Sequence, residues 1–386
     1  MGTRVNKILM WKEAETGVIP ANPTCYVLNA ENYNVTGAQS TETNVLLGNG
    51  RGASKNTYGA TTISGDIPII WDTDNMLLWL VHGVGETTAT VAATTDTWAD
   101  ATVYAKGDIV NNSDGLHSLV CYVGGTSDAL EPDLSAYTTA SAGRGTEIED
   151  GTVTWIIMPK LWKNTGERGD CLASFGAEVE DGNACTGATA KYTRKTGLFA
   201  NSIGFSVSGD TNGLKTTVAV VGVKEQDSFL DESYTEMSAQ AGFTEVGMTK
   251  DFWSYDEVTV KIDGEAAVKT SMTDFTITNN ITVDNGVNND KIENIGVIQI
   301  SGNINGEFRE EWYRDAKNHT KKSVSLEFSK ANGCSAIITL PQIEMAKVDK
   351  VYDTQKNTML NIPFSAFDLS DSKSIQYEVV GPIQTY

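Results

Sequence analysis

The chain has 386 residues, 40% of them hydrophobic and 20% charged, a balance that excludes wholesale disorder and accommodates two or three domains of roughly 100 to 200 residues. Fifty acidic residues against 29 basic ones leave a formal charge of −21. A surface of that sign repels phosphate at long range and argues against nucleic-acid binding through a basic patch; no run approaches the roughly 18 apolar residues that cross a bilayer.

Charges at Arg4, Lys7, Lys12 and Glu13 interrupt the first residues before a secretory apolar stretch forms, so we expect folding in a cytoplasm. Asn44–Ala53 spells G-x-G-x-x-A after an apolar run, the outline of a dinucleotide loop. A pyrophosphate needs a helix amino terminus directly after those glycines, and Ser54–Gly59 reads instead as a turn or loop. Thr62-Ile63-Ser64-Gly65-Asp66-Ile67 reads as a strand leading into a short amphipathic helix over 72–83. Asp72 to Asn75 supply its cap and first-turn acids, and Gly83 its end. Asp72–Asn75 also opens like a calcium loop, but glycine at the sixth position and glutamate at the twelfth are missing. Gly83–Thr88 resembles the tail of a phosphate loop with Glu86 where a lysine must neutralise phosphate.

Thr87–Thr95, rich in Thr and Ala, reads as a linker, and from about 91 to 158 the texture changes. Trp98, Tyr104, Gly107-Asp108, Val110, Leu119–Val123, Glu131-Pro132 and Asp150–Trp155 outline a compact unit that interrupts the surrounding pattern. Trp98, Tyr104, Tyr122 and Trp155 are candidate glycan-facing aromatics, since sugar C–H faces suit aromatic surfaces. The alternative, stronger for Trp98 and Trp155, is that they form the core of a small domain.

Further along, short alternating apolar runs (Ile203–Ser208, Lys215–Val221, Val258–Ile262, Ser323–Phe328) stand between Gly, Asn and Asp turns, the signature of antiparallel β-structure. Gln299-Ile300-Ser301-Gly302-Asn303-Ile304 precedes a helix over 306–317 with Phe308, Trp312 and Ala316 on one stripe. This repeats the Ile63-Ser64-Gly65 strand and its helix 237 residues later, and the strand around Phe205 has a fainter echo around Phe275. We read an internal duplication.

Five cysteines (Cys25, Cys121, Cys171, Cys185, Cys334) are odd in number and form no C-x-x-C pair, so we expect neither a zinc site nor a disulfide framework; buried free thiols are the favoured reading, with Cys171 meeting Cys185 across a loop as the alternative. His82, His117 and His319 are isolated, and Arg168-Gly169-Asp170 is an adhesion tripeptide by spelling only. No catalytic, cofactor or metal residue is assigned, and no enzyme is expected.

In chain order, three groups of residues resemble the tail tube (major tail) proteins of long-tailed bacteriophages over roughly 1–90 and 160–386. The first is Lys12-Glu13 with Thr16-Gly17 and Pro20-Ala21. The second runs from Gly50-Arg51 through Ile63-Ser64-Gly65 to the helix ending in Gly83. The third comprises Thr278-Asn279-Asn280, Ile300-Ser301-Gly302-x-Ile304, the Trp312 helix, Ile338-Thr339-Leu340-Pro341 and Asn361–Ala366. Within 91–159, the tryptophan start, Tyr104-x-x-Gly107-Asp108-x-Val110 and Gly151–Trp155 are similar to small carbohydrate-binding modules of the chitin-binding type.

The resemblance implies a mainly β fold of two tandem tail-tube β-sandwich or barrel domains, each with a flanking helix, plus a small all-β insert. The expected divisions are 1–90 with 160–228, the insert 91–159, and 229–386. It implies a virion component assembled in the host cytoplasm, partnered with itself in stacked rings that are hexameric or trimeric and pseudo-hexameric. Tape-measure, tail-terminator and tip proteins, genomic DNA sliding unbound through an acid-lined lumen, and cell-surface glycans are the other implied partners. Loops at Val35–Glu42 and Glu178–Asn183 would reach the next ring. The competing reading is a carbohydrate-binding or adhesin-like surface protein acting through 98–157.

Overall fold

The computed structural model describes residues 4–44, 55–182, 190–207, 214–228, 230–231, 233–248, 250–267, 270–285, 291–307, 309–346, 359–368 and 373–384. The chain begins with β1 (Arg4–Lys12), β2 (Thr24–Val27), β3 (Thr36–Asn44), β4 (Lys55–Ile70), α1 (Thr73–Gly83) and β5 (Thr87–Ala92). Six short strands follow: β6 (Val103–Tyr104), β7 (Ile109–Asn111), β8 (His117–Val123), β9 (Gly125–Thr126), β10 (Glu147–Asp150) and β11 (Val153–Pro159). Next come β12 (Trp162–Glu167), β13 (Phe175–Gly182), β14 (Lys191–Val207), β15 (Lys215–Gly222), β16 (Lys224–Asp227) and β17 (Thr244–Gly247). The last part holds β18 (Val258–Ile262), β19 (Glu265–Ala266), β20 (Thr270–Thr278), β21 (Thr282–Asn285), β22 (Lys291–Asn294) and β23 (Gln299–Glu307). It ends with α2 (Glu310–Asn318), β24 (Lys321–Ser329), β25 (Ser335–Met345), β26 (Met359–Ala366) and β27 (Gln376–Gly381).

The fold is mainly β, and one pattern of strand pairing occurs twice. β3 pairs with β4 as β20 pairs with β23, and β4 pairs with β15 as β23 pairs with β26. β1 lies beside β13 as β18 lies beside β24. β14 carries β13 on one side, with β16 and then β15 on the other; β25 carries β24, with β27 and then β26. Each helix follows the Ile-Ser-Gly strand of its own unit.

The Ile-Ser-Gly match has a steric cause. Ile63 and Ile67, like Ile300 and Ile304, are buried in the core, as alternation in a strand demands. At the glycines the neighbouring chain comes too close for a side chain. A Cβ on Gly65 would stand 2.2 Å from the Asn34 carbonyl oxygen, and one on Gly302 would stand 3.0 Å from the Phe275 Cα and 2.8 Å from the Phe364 ring. Val35 and Phe275 occupy equivalent buried places beside those glycines.

The two units share one apolar core, which holds Trp71, Trp79 and Phe205 of the first and Phe275, Phe328 and Phe364 of the second. Among the described residues nineteen strands hydrogen-bond into a single network, with a seam between β14 and β20.

Residues 96–160 form a separate four-stranded sheet, β10-β11-β8-β7, with its own core. Alternation along two strands explains how it sits. Leu119 and Cys121 of β8, with Trp155 and Ile157 of β11, face inward. Val120, Ile156 and Met158 face the other way and pack on Leu161, Cys334 and Val380 of the body. Gly333 lies beneath, where a Cβ would meet Val120 at 3.0 Å and Leu161 at 3.2 Å.

Several local expectations are corrected. Thr87–Ala92 is no linker: it is β5, hydrogen-bonded to β12, and its Thr and Val residues suit a strand. Residues 36–42 and 178–182 are not loops either. The first lie in β3 against β4 and the second in β13 between β1 and β14; Asn183 falls outside the described residues. From Lys55 onward the supposed turn after the glycine pattern is strand, and Gly48, Gly50 and Gly52 fall outside the described residues. Neither is α1 amphipathic: every residue from Thr73 to Gly83 is buried, because strands of both units wrap it. α2 starts at Glu310, residues 306–307 finish β23, and Phe308 falls outside the described residues. Cys25, Cys121 and Cys334 are buried thiols, whereas Cys171 is exposed; Cys185 lies outside the described residues.

Candidate assembly surface

Reactive side chains do not converge. His82 sits in α1, His117 in β8, and His319 caps α2 in the left-handed conformation. His82 Nδ1 donates to the Ala173 carbonyl oxygen at 2.8 Å, and burial holds its pKa down to about 3, so the ring is neutral. His117 pairs with Asp114, and His319 lies 3.2 Å from Glu344. Among the described residues no three His, Cys, Asp or Glu side chains are grouped as a metal site.

The four aromatics singled out in the insert divide into two kinds. Trp155 is fully buried with its ring against Tyr104, 4.8 Å between centroids, and Tyr104 is buried as well. Trp98 and Tyr122 are half-buried, Trp98 packed against the insert's own core and Tyr122 against the cluster that seats the insert on the body; Lys106 lies 5.3 Å over the Tyr122 ring. The two tryptophans are joined by a residue that the sequence did not single out. Asp150 Oδ2 accepts from Trp98 Nε1 at 2.8 Å and from Trp155 Nε1 at 2.9 Å, while its Oδ1 accepts from the Asp128 N–H at 2.7 Å. One buried carboxylate thus locks the opening of the insert to its close.

Two further carboxylates brace the body. Glu13 accepts from Gly17 N–H at 2.9 Å, Gly197 N–H at 3.1 Å and Ser174 Oγ at 2.8 Å, which gives the Lys12–Gly17 opening a structural purpose. Burial pushes its pKa up, against the pull of those donors. Glu178 accepts from Arg194 Nη2 at 2.6 Å, from Tyr234 Oη at 2.6 Å and from the Met237 N–H at 2.8 Å. Arg194 also donates to Thr235 O at 2.6 Å and stacks 4.6 Å over the Tyr234 ring. This buried network ties the β13–β14 hairpin to the segment between the units.

The seam between the units is held by strand register and by side-chain amides. In register, Ser202 faces Thr278, Ile203 faces Ile277, Gly204 faces Thr276 and Phe205 faces Phe275. Asn279 N–H donates to Asn201 O at 2.8 Å, and Asn279 Nδ2 donates to Gly83 O at 2.9 Å and Ala200 O at 2.8 Å. Asn201 Oδ1 in turn accepts from Ile281 N–H at 2.7 Å. Trp71 stacks on Phe205 at 4.6 Å, and Phe205 on Phe275 at 5.3 Å, carrying apolar contact across the junction.

β3 occupies in the first unit the place that β20 holds in the second, yet only one of its edges is used. Among the described residues it pairs with β4 alone, and Thr36 to Gln39, Thr41 and Glu42 are exposed. A free edge containing neither lysine nor proline is an invitation to pair with another strand.

A family model described as phage tail tube protein matches residues 3–366. A search among curated proteins finds no match.

Proposed function

We propose that this chain, which belongs to the phage tail tube protein family, assembles edge to edge into rings that stack as the tube conducting DNA out of the capsid. Membership makes it a structural protein of the phage tail and a component of the virion. The observation that carries the finer reading is the twice-used pairing pattern, joined by a sheet seam at β14–β20 and ending in an edge of β3 that no strand among the described residues pairs. Two equivalent units per chain suit a ring of three chains with pseudo-sixfold symmetry, closed by repeating one head-to-tail contact.

On this reading the divisions are 1–90 with 160–228, the insert 91–159, and 229–386. The insert is a surface decoration held rigidly by its apolar outer face. Of the four candidate aromatics, Tyr104 and Trp155 are buried, which leaves the half-buried Trp98 and Tyr122 as those that would meet a cell-surface glycan. Tape-measure, terminator and tip proteins meet the ends of the tube, assembly takes place in the host cytoplasm, and DNA passes without specific binding.

Electron microscopy of the purified chain tests the proposal. Stacked rings with six similar lobes and a mass of three chains per ring are expected. A protein that stays monomeric at every concentration tested, and that is retained on chitin, overturns it in favour of the adhesin reading.

A further inference from the structure

The second unit has a helix end seated in it where the first has an open cleft. That seat lies between β23 and β27, and α1 of the first unit ends there. Asn279 Nδ2 donates to Gly83 O at 2.9 Å and Tyr377 Oη donates to Gly85 O at 2.8 Å. Val84 stands beside Ile298, Phe367 and Asp368 in the cavity that remains.

The repeated pairings give the counterparts in the first unit. Gly65 faces Val220 as Gly302 faces Phe364, so Thr61 corresponds to Ile298, Val223 to Phe367 and Lys224 to Asp368. β14 and β25 share a bulge. Leu198 faces Phe175 and Lys195 faces Ala177, as Ile343 faces Lys322 and Leu340 faces Val324, so Thr193 corresponds to Ile338. Thr193 faces Asp227 and Ile338 faces Tyr377, which makes Asp227 the counterpart of Tyr377. Thr61, Val223, Lys224 and Asp227 line one cleft of about 560 Å³ between β4 and β16, and Leu230, 87% exposed, lines it too.

We infer that α2 of one copy seats in the β4–β16 cleft of a second copy, as α1 seats between β23 and β27 within the chain. This rests on the ring reading above and names a contact apart from any strand edge: each unit's helix fills the next unit. The helices stand at the spacing of the repeat, α1 opening at Thr73 and α2 at Glu310.

Each helix matches its seat in chemistry. α1 is buried throughout and lies against β25 and β27, whose Ile338, Tyr377 and Val379 are buried as well; these surfaces never part. α2 buries Trp312, Asp315 and Ala316 and leaves Glu310, Glu311, Arg314 and Lys317 exposed. The cleft likewise carries both signs, in Lys224, Lys291, Glu225 and Asp227. Surfaces that wait in water before meeting need such charges, and mixed signs on both sides leave little net attraction or repulsion. Helix and cleft are different surfaces, so each copy gives one and receives one, head to tail.

Photo-crosslinking in the full chain tests this. Lys317 is replaced by p-benzoylphenylalanine, and rings are assembled from a mixture of isotope-labelled and unlabelled chains. Irradiation is expected to join that position to a peptide of residues 61–63 or 223–231 in a different chain. Leu230→Asp is expected to leave the thermal unfolding midpoint unchanged, because the side chain is 87% exposed in the single chain. It should raise the concentration needed for rings by roughly tenfold or more, as loss of one covered leucine implies. Rings that form normally from Leu230→Asp, with crosslinks confined to other segments, overturn the seating of α2 while leaving the ring reading intact. Absence of rings from the unaltered chain overturns the ring reading and this inference together.

Discussion

Two titrating residues at the ends of α1 pull stability in opposite directions. Asp72 caps the helix by accepting from Asn75 N–H at 2.7 Å, and burial raises its pKa from 3.8 to about 7. A carboxyl raised in this way contributes stability that is fully present below the unfolded value and lost as pH climbs through about 7. His82 behaves oppositely. With a folded pKa of about 3 against 6.5, its contribution is full above 6.5 and lost as pH falls toward 3. Between about pH 4 and 6.5 the two slopes largely cancel. Asp72→Asn, which keeps a good cap, is expected to unmask the histidine. Relative to the unaltered chain, its unfolding free energy falls on acidification by an amount on the order of 3 kcal/mol across that window. His82→Gln is expected to show the reverse, losing stability as pH rises. Chemical denaturation at pH 4, 5, 6 and 7 checks both, and parallel profiles for the three proteins would show that neither group is held as described. Asp72 is legible in the sequence as a cap, but its raised pKa is not, because that depends on its complete burial in the folded chain, against the opposing pull of the Asn29 amide.

At the scale of elements, legibility follows which faces are buried. Val258–Ile262 and Ser323–Phe328 alternate because one face meets the core, so their period is visible. β3 and β5 are largely exposed, and their Thr, Gly, Ala and Gln residues carry no apolar period; they read as loop and linker until a partner strand is known. Charged residues inside a strand were the unread signal in β13 and β14. Glu178 and Arg194 are both buried, each satisfying the other and the 234–237 segment. Removing one partner strands the other in a dry site. Arg194→Ala is expected to destabilise the chain by roughly 3 to 5 kcal/mol, measured by urea unfolding. Glu178→Gln combined with Arg194→Met removes both charges and is expected to recover much of that loss. A single substitution costing under about 1 kcal/mol would mean that the pair is solvated rather than braced.

For the whole molecule, the formal charge of −21 has to be reconciled with copies that associate and with DNA that must slide past them. Like-charged chains repel as they approach, and salt screens that repulsion over a Debye length of about 8 Å at physiological ionic strength. The β3 edge offers backbone groups and, between Thr36 and Asn44, Glu42 as its charged side chain, so little specific attraction between opposite charges is lost there when salt rises. Assembly should therefore strengthen with ionic strength. Raising sodium chloride from about 50 to 300 mM is expected to lower the concentration at which rings form, read by light scattering and microscopy. Binding of duplex DNA follows the opposite logic. Proteins that hold phosphates through lysine and arginine bind most tightly at low salt, where counterion release is most favourable. This chain is expected to leave DNA unretarded in a gel even near 50 mM salt, as chains or as rings, because repulsion is greatest there. Salt-weakened assembly together with DNA retardation would mean that the basic residues, though outnumbered, are gathered where copies or DNA make contact. The acidity would then have no part in keeping the duplex free.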